Sequence, residues 1–489
     1  MKGGKWLPAF CLLFFCSSAS LAQALRPEMQ KLRQQRVKFR AAAPLLTGDS
    51  LPPSVDNSTN KYFPPVIDQL GGSCAQAAGI GHMFTYEVNR LLDRDAKATA
   101  ANRLSYQYAW NMVNEGTDQG SFVEQGLRLA QQCGIMTEED YGLNFMFKWP
   151  DGYEKYVRAM RYRVGEIYMF DDSVPLMKRY LYDKGEPGHV GGVLTFSGQS
   201  TGWTIDDDYQ GPSATGYHSL LTSLATDGSH AMTIVGYDDL VSYVDRNGCR
   251  HDGAFIVVNS WGEGWQDRGR FYLPYNFFRN PQVSSLELSN TVNGVSAVSY
   301  EPRWVLKVTV DYSSRDDLSY AVASVDDMDR ETPRSQSFLA AFRNMGGDLP
   351  MRGPTLGSQL EMALDVTRCA QDDAAKYFLN IYRTRGGKAK GEGKLVSLSL
   401  VCYGAGEPVE YPCRNVLPAD IQDGYNYFSI PLRPRYQVSA SPLRYQTESG
   451  ELEQGTFLIQ TSEGYRAKVN FMDINKEGQT ITFKYEVRK

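Results

Sequence analysis

The sequence predicts an α+β fold: a two-lobed domain with a helical lobe and a β-sheet lobe, followed by an all-β, sandwich-like C-terminal domain. Three observations carry this. Apolar residues repeat every three to four positions from Cys74 to Leu92. From Gly192 onward, short β-branched and aromatic runs take over. After about residue 300 such runs continue, broken by loops like Arg385-Gly386-Gly387-Lys388. The bulk numbers agree. A length of 489 residues sets a prior of two to four domains, and 42% hydrophobic with 22% charged residues implies a sizeable core. The 30 tyrosines lean towards β structure. A net charge of −5 gives no support for a nucleic-acid partner, which favours a basic stripe.

The N-terminus reads as an export signal over residues 1–22. Lys2 and Lys5 precede the apolar run Trp6 to Phe15, and Ser20-Leu21-Ala22 or Ala22-Gln23-Ala24 suits a signal peptidase. The run is short for a bilayer span of about 20 residues, and no later stretch is long and apolar enough to cross, so an exported protein without a transmembrane segment in the mature chain is expected. Residues 23–50 form a basic segment, either a solvated N-terminal tail or a short propeptide, and Leu51-Pro52-Pro53 starts an extended segment. Cys11 and Cys16 leave with the signal. Of the remaining six cysteines, Cys402 and Cys413 are close enough in sequence to staple a hairpin.

Residues 51–300 make the two-lobed domain. In the helix from Cys74 to Leu92, Gly79 and Gly81 cost helix propensity, which points to close packing against a neighbour. Further helices are expected at Gln107 to Val113 and at Phe122 to Cys133, stopped by Gly134. Strands follow at Gly192 to Phe196, Ala231 to Tyr237, Ala254 to Asn259 and Gly269 to Leu273, with Asn247-Gly248 as a hairpin turn between the middle pair. Residues 301–489 make the C-terminal domain, with strands at Trp304 to Val310, Leu360 to Val366, Tyr377 to Tyr382, Leu395 to Cys402, Tyr427 to Pro431, Thr456 to Gln460, Tyr465 to Phe471 and Thr480 to Val487.

Four residues carry candidate chemistry. Cys74 follows Gly71-Gly72-Ser73 at a helix start, where free amides and the dipole favour an anion and lower a thiol pKa. A lone cysteine is otherwise a small buried hydrophobe. His230 heads an apolar strand, a place from which its ring can enter a cleft; its bland role is a satisfied interfacial histidine. Asn259 ends the next strand, so one hairpin can bring it beside His230, where its oxygen fixes the tautomer and aims the other nitrogen at Cys74. Trp261 can shield that bond or simply pack. Gln69, five residues before Cys74, can donate to an oxyanion together with the Cys74 amide, or is an ordinary loop glutamine.

These residues resemble the papain-like cysteine peptidases, of a bacterial type with an extra C-terminal β domain. The similarity runs through Leu51-Pro52-Pro53-Ser54-Val55-Asp56, Pro65-Val66-Ile67-Asp68-Gln69, Gly72-Ser73-Cys74, Leu104-Ser105-Tyr106-Gln107 and Gly134 to Tyr141. It closes on Ser229-His230-Ala231, Val235-Gly236-Tyr237 and Val258 to Trp265, the last being the most specific. The resemblance implies a thiolate–imidazolium pair from Cys74 and His230, orientation by Asn259, an oxyanion contribution from Gln69, a propeptide that blocks the cleft, and no metal or organic cofactor. Substrate binding is assigned to Gly120 and Trp261. The expected activity is exported cysteine endopeptidase, acting on protein or peptide substrates. The alternatives are a catalytically weak papain-fold binding protein, a thiol acyltransferase and an exopeptidase. The C-terminal domain is expected to bind carbohydrate, protein or a cell surface, or to brace the enzyme.

The chain departs from the family in several places. Ala75 stands where an aromatic is usual, and the second cysteine before the nucleophile is missing, with its disulfide. Gln69 is one residue closer to the nucleophile, and Gly116 to Ser121 lacks the paired glycines. The interval from Cys74 to His230 exceeds the usual span of about 130–150 residues, which places an insertion within 141–217.

Overall fold

The computed structural model describes residues 33–42, 50–170, 173–198, 200–223, 229–279, 292–343, 346–369, 374–404, 406–432, 456–460, 466–475 and 480–488. The export signal, the first ten positions of the basic segment and its end at 43–49 lie outside them.

The helical stretch 74–92 is one continuous helix with an unexpected centre. Cys74–Gln76 and Thr85–Leu92 are α-helical, but Ala77–Phe84 between them is π-helical. Tight contacts surround this widened segment. A Cβ on Gly79 would lie 3.0 Å from Val123, and one on Gly81 would lie 2.3 Å from Ile67. The predicted close packing at these glycines is therefore present. His82 sits in the same segment, wholly buried, with Nδ1 3.2 Å from the Thr233 hydroxyl and Nε2 accepting from the Ile67 amide at 3.4 Å. Periodicity does not reveal this π segment, because every residue from Cys74 to Asn89 is buried and no polar face marks the turn. The helix Tyr106–Val113 is capped by the Ser105 hydroxyl, which accepts from the Tyr108 amide. Val123–Cys133 ends at Gly134, at φ 72°.

The ten-stranded sheet is organised by the long strand His230–Val244. It pairs antiparallel with Leu194–Gly198 on one side, over its N-terminal part, and with Arg250–Val258 on the other, in the register Gly198↔His230 and Thr233↔Val258. Arg270–Pro274 follows next to Arg250–Val258. The Asn247-Gly248 turn is where the sequence placed it, held by the Asp245 carboxylate, which accepts from the Asn247 and Cys249 amides. The 141–217 stretch supplies the helices Tyr153–Ala159 and Val174–Asp183 and the strands Tyr162–Met169, Leu194–Gly198 and Thr204–Asp206.

Part of the basic segment is docked rather than solvated. Val37–Lys38 adds a parallel edge strand beside Tyr168 and Met169. Phe39 is buried against Phe170 and Tyr180, and Arg36 is buried, donating to Asn293 Oδ1 at 2.8 Å. One phenylalanine at the end of this short edge strand anchors it to the sheet lobe.

The described residues combine helices with several sheets. Beyond residue 300, Trp304–Tyr312 pairs with Gln359–Asp365 and Gly393–Cys402, while Leu318–Val325, Lys376–Arg383 and Gly424–Pro431 belong to a second antiparallel sheet. Thr456–Gln460, Arg466–Asn475 and Thr480–Arg488 form a third. The suggested Cys402–Cys413 staple is not formed: the register sets Cys402 opposite Val409, and the Cys413 thiol lies 3.5 Å from Asn415 Oδ1 and from the Ser429 carbonyl.

The first two of these sheets pack on the helices Tyr106–Val113, Val123–Cys133 and Tyr153–Ala159. Arg163 and Asp365 form a buried ion pair at 2.6 Å, with the Tyr300 hydroxyl donating to the same carboxylate oxygen at 2.7 Å. Trp149, fully buried, meets Phe342 edge-on at 5.6 Å. Backbone bonds cross as well, from the Trp149 amide to the Arg352 carbonyl and from the Gly152 amide to the Glu361 carbonyl.

Candidate active site

The sheet register and the helix start converge on one point. His230 is the first residue of its strand, and Asn259 follows the last residue of the neighbouring strand, at the same end of the ladder. His230 Nε2 and Asn259 Oδ1 are 2.7 Å apart and buried. The same Asn259 oxygen accepts from the Ser260 amide at 2.7 Å. A backbone N–H can only donate, so the atom facing it must be the amide oxygen, and the imidazole must then carry its proton on Nε2. In the neutral ring that leaves Nδ1 with a lone pair, free to act as a base.

The helix start that carries Cys74 packs on the strand that His230 begins. The backbone amides of Ala231, the residue next to His230, of Ala75 and of Cys74 itself act on its sulfur in favour of the thiolate. The helix-start amides therefore act on the thiol as the sequence implied, but they are not the largest influence. Burial pushes the Cys74 thiol up, against those three amides. The expectation that its helix position leaves this thiol depressed is corrected accordingly. Burial also pushes His230 down to about 4, opposed by the bond to Asn259. Each shift favours the uncharged form of its own group. A proton passing from thiol to imidazole makes two opposite charges side by side, which offsets the cost that burial imposes on either alone.

Trp261 stacks on the His230 ring with centroids 4.8 Å apart and an angle of 25°. It remains 38% exposed, so one side of the indole covers the imidazole and the remainder faces solvent. Trp265 supports it edge-on at 5.2 Å. Trp203, from the loop between two inserted strands, adds a third aromatic 6.4 Å from both His230 and Trp261. Sequence reasoning missed Trp203, because nothing local to it points towards residues some 30 to 60 positions away.

The loop before Cys74 is sewn to the Asn259 segment. The Gln69 amide donates to the Ser260 carbonyl at 2.9 Å, and the Ser260 hydroxyl donates to Gln69 Oε1 at 2.6 Å. Gln69 Nε2 gives one N–H to the Gly71 carbonyl at 2.8 Å. Its second N–H is the one an oxyanion would take. Ser260 was read only as part of a motif, yet it fixes the orientation of Gln69. Gly120, exposed, lies across from this loop, where a Cβ on it would sit 3.9 Å from the Gly72 carbonyl. Asp118, which the sequence did not single out, accepts from the Gly72 amide at 2.9 Å. Cys74, His230, Asn259, Gln69 and Trp261 are thus gathered in one place, with Gly120 on the adjoining loop.

No family model matches the chain. It is 26% identical over 233 residues to an uncharacterized peptidase C1-like protein of Acanthamoeba polyphaga mimivirus, covering 45% of this chain and 67% of that protein. Among solved structures, xylellain, a cysteine protease from Xylella fastidiosa, matches 51% of this chain and 87% of its own at 19% identity and TM-score 0.37. The bromelain protease from Ananas comosus matches 50% and 99% at 16% identity and TM-score 0.32. The chain resembles the papain-like cysteine peptidases.

Proposed function

We propose that the protein is a cysteine peptidase, an exported endopeptidase that hydrolyses peptide bonds through Cys74, His230 and Asn259. The observation that carries this is the 2.7 Å bond between His230 Nε2 and Asn259 Oδ1, with the helix start of Cys74 packed on the strand that begins at that histidine. The Cys74 proton passes to His230 Nδ1, and the thiolate attacks the scissile carbonyl carbon. The oxyanion takes the second Gln69 N–H. The C–N bond then breaks, and His230 returns its proton to the departing amine. Water, deprotonated by the same imidazole, hydrolyses the thioester, releases the acid product and restores the thiol. Trp261 keeps the imidazole dry on one face and, with Gly120, borders the bound peptide. Export rests on the signal-like residues 1–22. Among the described residues no helix is long and apolar enough to cross a membrane.

The test is turnover of a quenched peptide library by the processed protein and by Cys74→Ala. Cleavage in the parent that disappears in Cys74→Ala is expected; cleavage that persists in Cys74→Ala contradicts the mechanism. The second reading, a catalytically weak binding protein on the same fold, is favoured by one observation, the burial that opposes ionisation of both members of the pair. Peptide binding without turnover in the parent would select it.

A further inference from the structure

The loop that carries Cys74 lacks the second cysteine of the resembling family, and among the described residues no disulfide holds it. Something else must. The Gly72 amide donates to Asp118 Oδ1 at 2.9 Å, two residues before the thiol. The two loops approach so closely that a Cβ on Gly72 would lie 2.7 Å from the Asp118 carbonyl, and one on Gly71 would overlap the Asp118 carboxylate. Asp118 in turn belongs to a loop with support from beyond residue 300. A Cβ on Gly116 would lie 2.8 Å from the Gly346 carbonyl, and one on Gly347, at φ 74°, would lie 2.5 Å from the Glu115 carbonyl. Backbone therefore presses on backbone with no side chain between.

The Gly346-Gly347 turn is itself pinned. Arg315, 1% exposed, donates to the Gly346 carbonyl at 2.6 Å, the Met351 carbonyl at 3.2 Å and the Phe147 carbonyl at 2.8 Å. Its guanidinium lies 4.6 Å over the Trp149 ring. The Trp149 indole donates at 3.0 Å to the carbonyl of Asn111, which belongs to the helix leading into the Asp118 loop. The same arginine thus ties the glycine turn to the segment beneath that helix.

We propose that Asp118 is a positioning residue that latches the Cys74 loop, with the Gly346-Gly347 turn as its backstop, so that the region after residue 300 is a working part of the catalytic unit. The proposal rests on the reading of Cys74 as nucleophile. A glycine-rich loop without a crosslink would otherwise sample many conformations, and about 1 Å of misplacement is enough to cost up to about a hundredfold in rate.

The experiment uses the full processed chain. Three variants, Asp118→Ala, Asp118→Asn and Gly347→Ala, are compared by kcat per active site, titrated with an irreversible thiol reagent, and by the second-order rate of Cys74 alkylation with iodoacetamide from pH 5 to 9. Asp118→Ala is expected to lose about tenfold or more in both rates. Asp118→Asn keeps an oxygen acceptor for Gly72 and should recover most of that loss. Gly347→Ala, far from Cys74 in sequence, should lose in the same direction by displacing Glu115 and Gly116. Rates in Asp118→Ala and Gly347→Ala within twofold of the parent, with only the melting temperature lowered, would overturn the latch and leave a purely structural contact. Should Asp118→Ala not fold, Gly347→Ala against the parent decides. Should the parent cleave no peptide, the proposed function fails, while the alkylation rates still decide on the latch.

Discussion

The two halves of the candidate site are built by different means. His230 and Asn259 stand at the end of a β-ladder, and the pairing Thr233↔Val258 sets their separation before any side chain is considered. Cys74 sits behind a loop that a short backbone bridge ties to the Asn259 segment and that side chains then fix: Ser260 holding Gln69, and Asp118 holding Gly72. The first half is fixed by backbone bonds a few residues away, the second by contacts from remote parts of the chain, including some beyond residue 300. A ladder resists substitution because its bonds are backbone bonds. A loop that also needs side chains to hold it is sensitive at each of them.

This difference can be broken at graded points. The largest effect is expected from Asn259→Ala, which leaves the ladder intact but frees the tautomer of His230. A loss of about a hundredfold to a thousandfold in kcat, with little change in KM, should be seen in steady-state kinetics. Next is Asp365→Ala, which strands Arg163, 1% exposed, as an unpaired buried charge. Denaturant unfolding should show a loss of about 3 kcal/mol. If the helices and the sheets after residue 300 form one cooperative unit, that loss appears in a single transition; a separate early transition would divide them.

A third way is pH. His230 is buried with its pKa pushed down to about 4 by burial, and His82 likewise to about 3. The unfolded chain protonates these rings as pH falls through about 6.5, while the folded chain does not. Their stability contribution is thus complete above about pH 6.5 and is lost progressively down to about 4 for His230 and about 3 for His82. Between pH 6.5 and 5, His230 alone should cost about 2 kcal/mol, less in His230→Asn, read from urea midpoints. The smallest effect is expected at Gln69→Ala, about tenfold in kcat, because only one of its N–H bonds is free for the oxyanion.

The same contrast explains what the sequence disclosed. His230 and Asn259 were legible because short β-branched and aromatic runs on either side of the Asn247-Gly248 turn define a hairpin, and a hairpin defines neighbours. The helix after Cys74 was legible in extent but not in its π centre, since apolar spacing does not register a widened turn. Gln69 was found by its nearness to Cys74, whereas Ser260, Trp203 and Asp118 had no local signal for their contacts. The docked edge strand at Val37–Lys38 was hidden for another reason: its basic residues outweigh the one phenylalanine that anchors it. The strands Leu318–Val325 and Ser337–Arg343 gave weaker signals, the first being interrupted by small residues and the second following the polar stretch Glu331 to Gln336.

The central claim is that Cys74 is made reactive by His230. It is tested most directly by mass spectrometry after brief labelling with a thiol-directed epoxide. The account predicts selective modification of Cys74 over Cys133, Cys249, Cys369, Cys402 and Cys413, lost in His230→Ala. Equal labelling of all six, or undiminished labelling of Cys74 in His230→Ala, would contradict it.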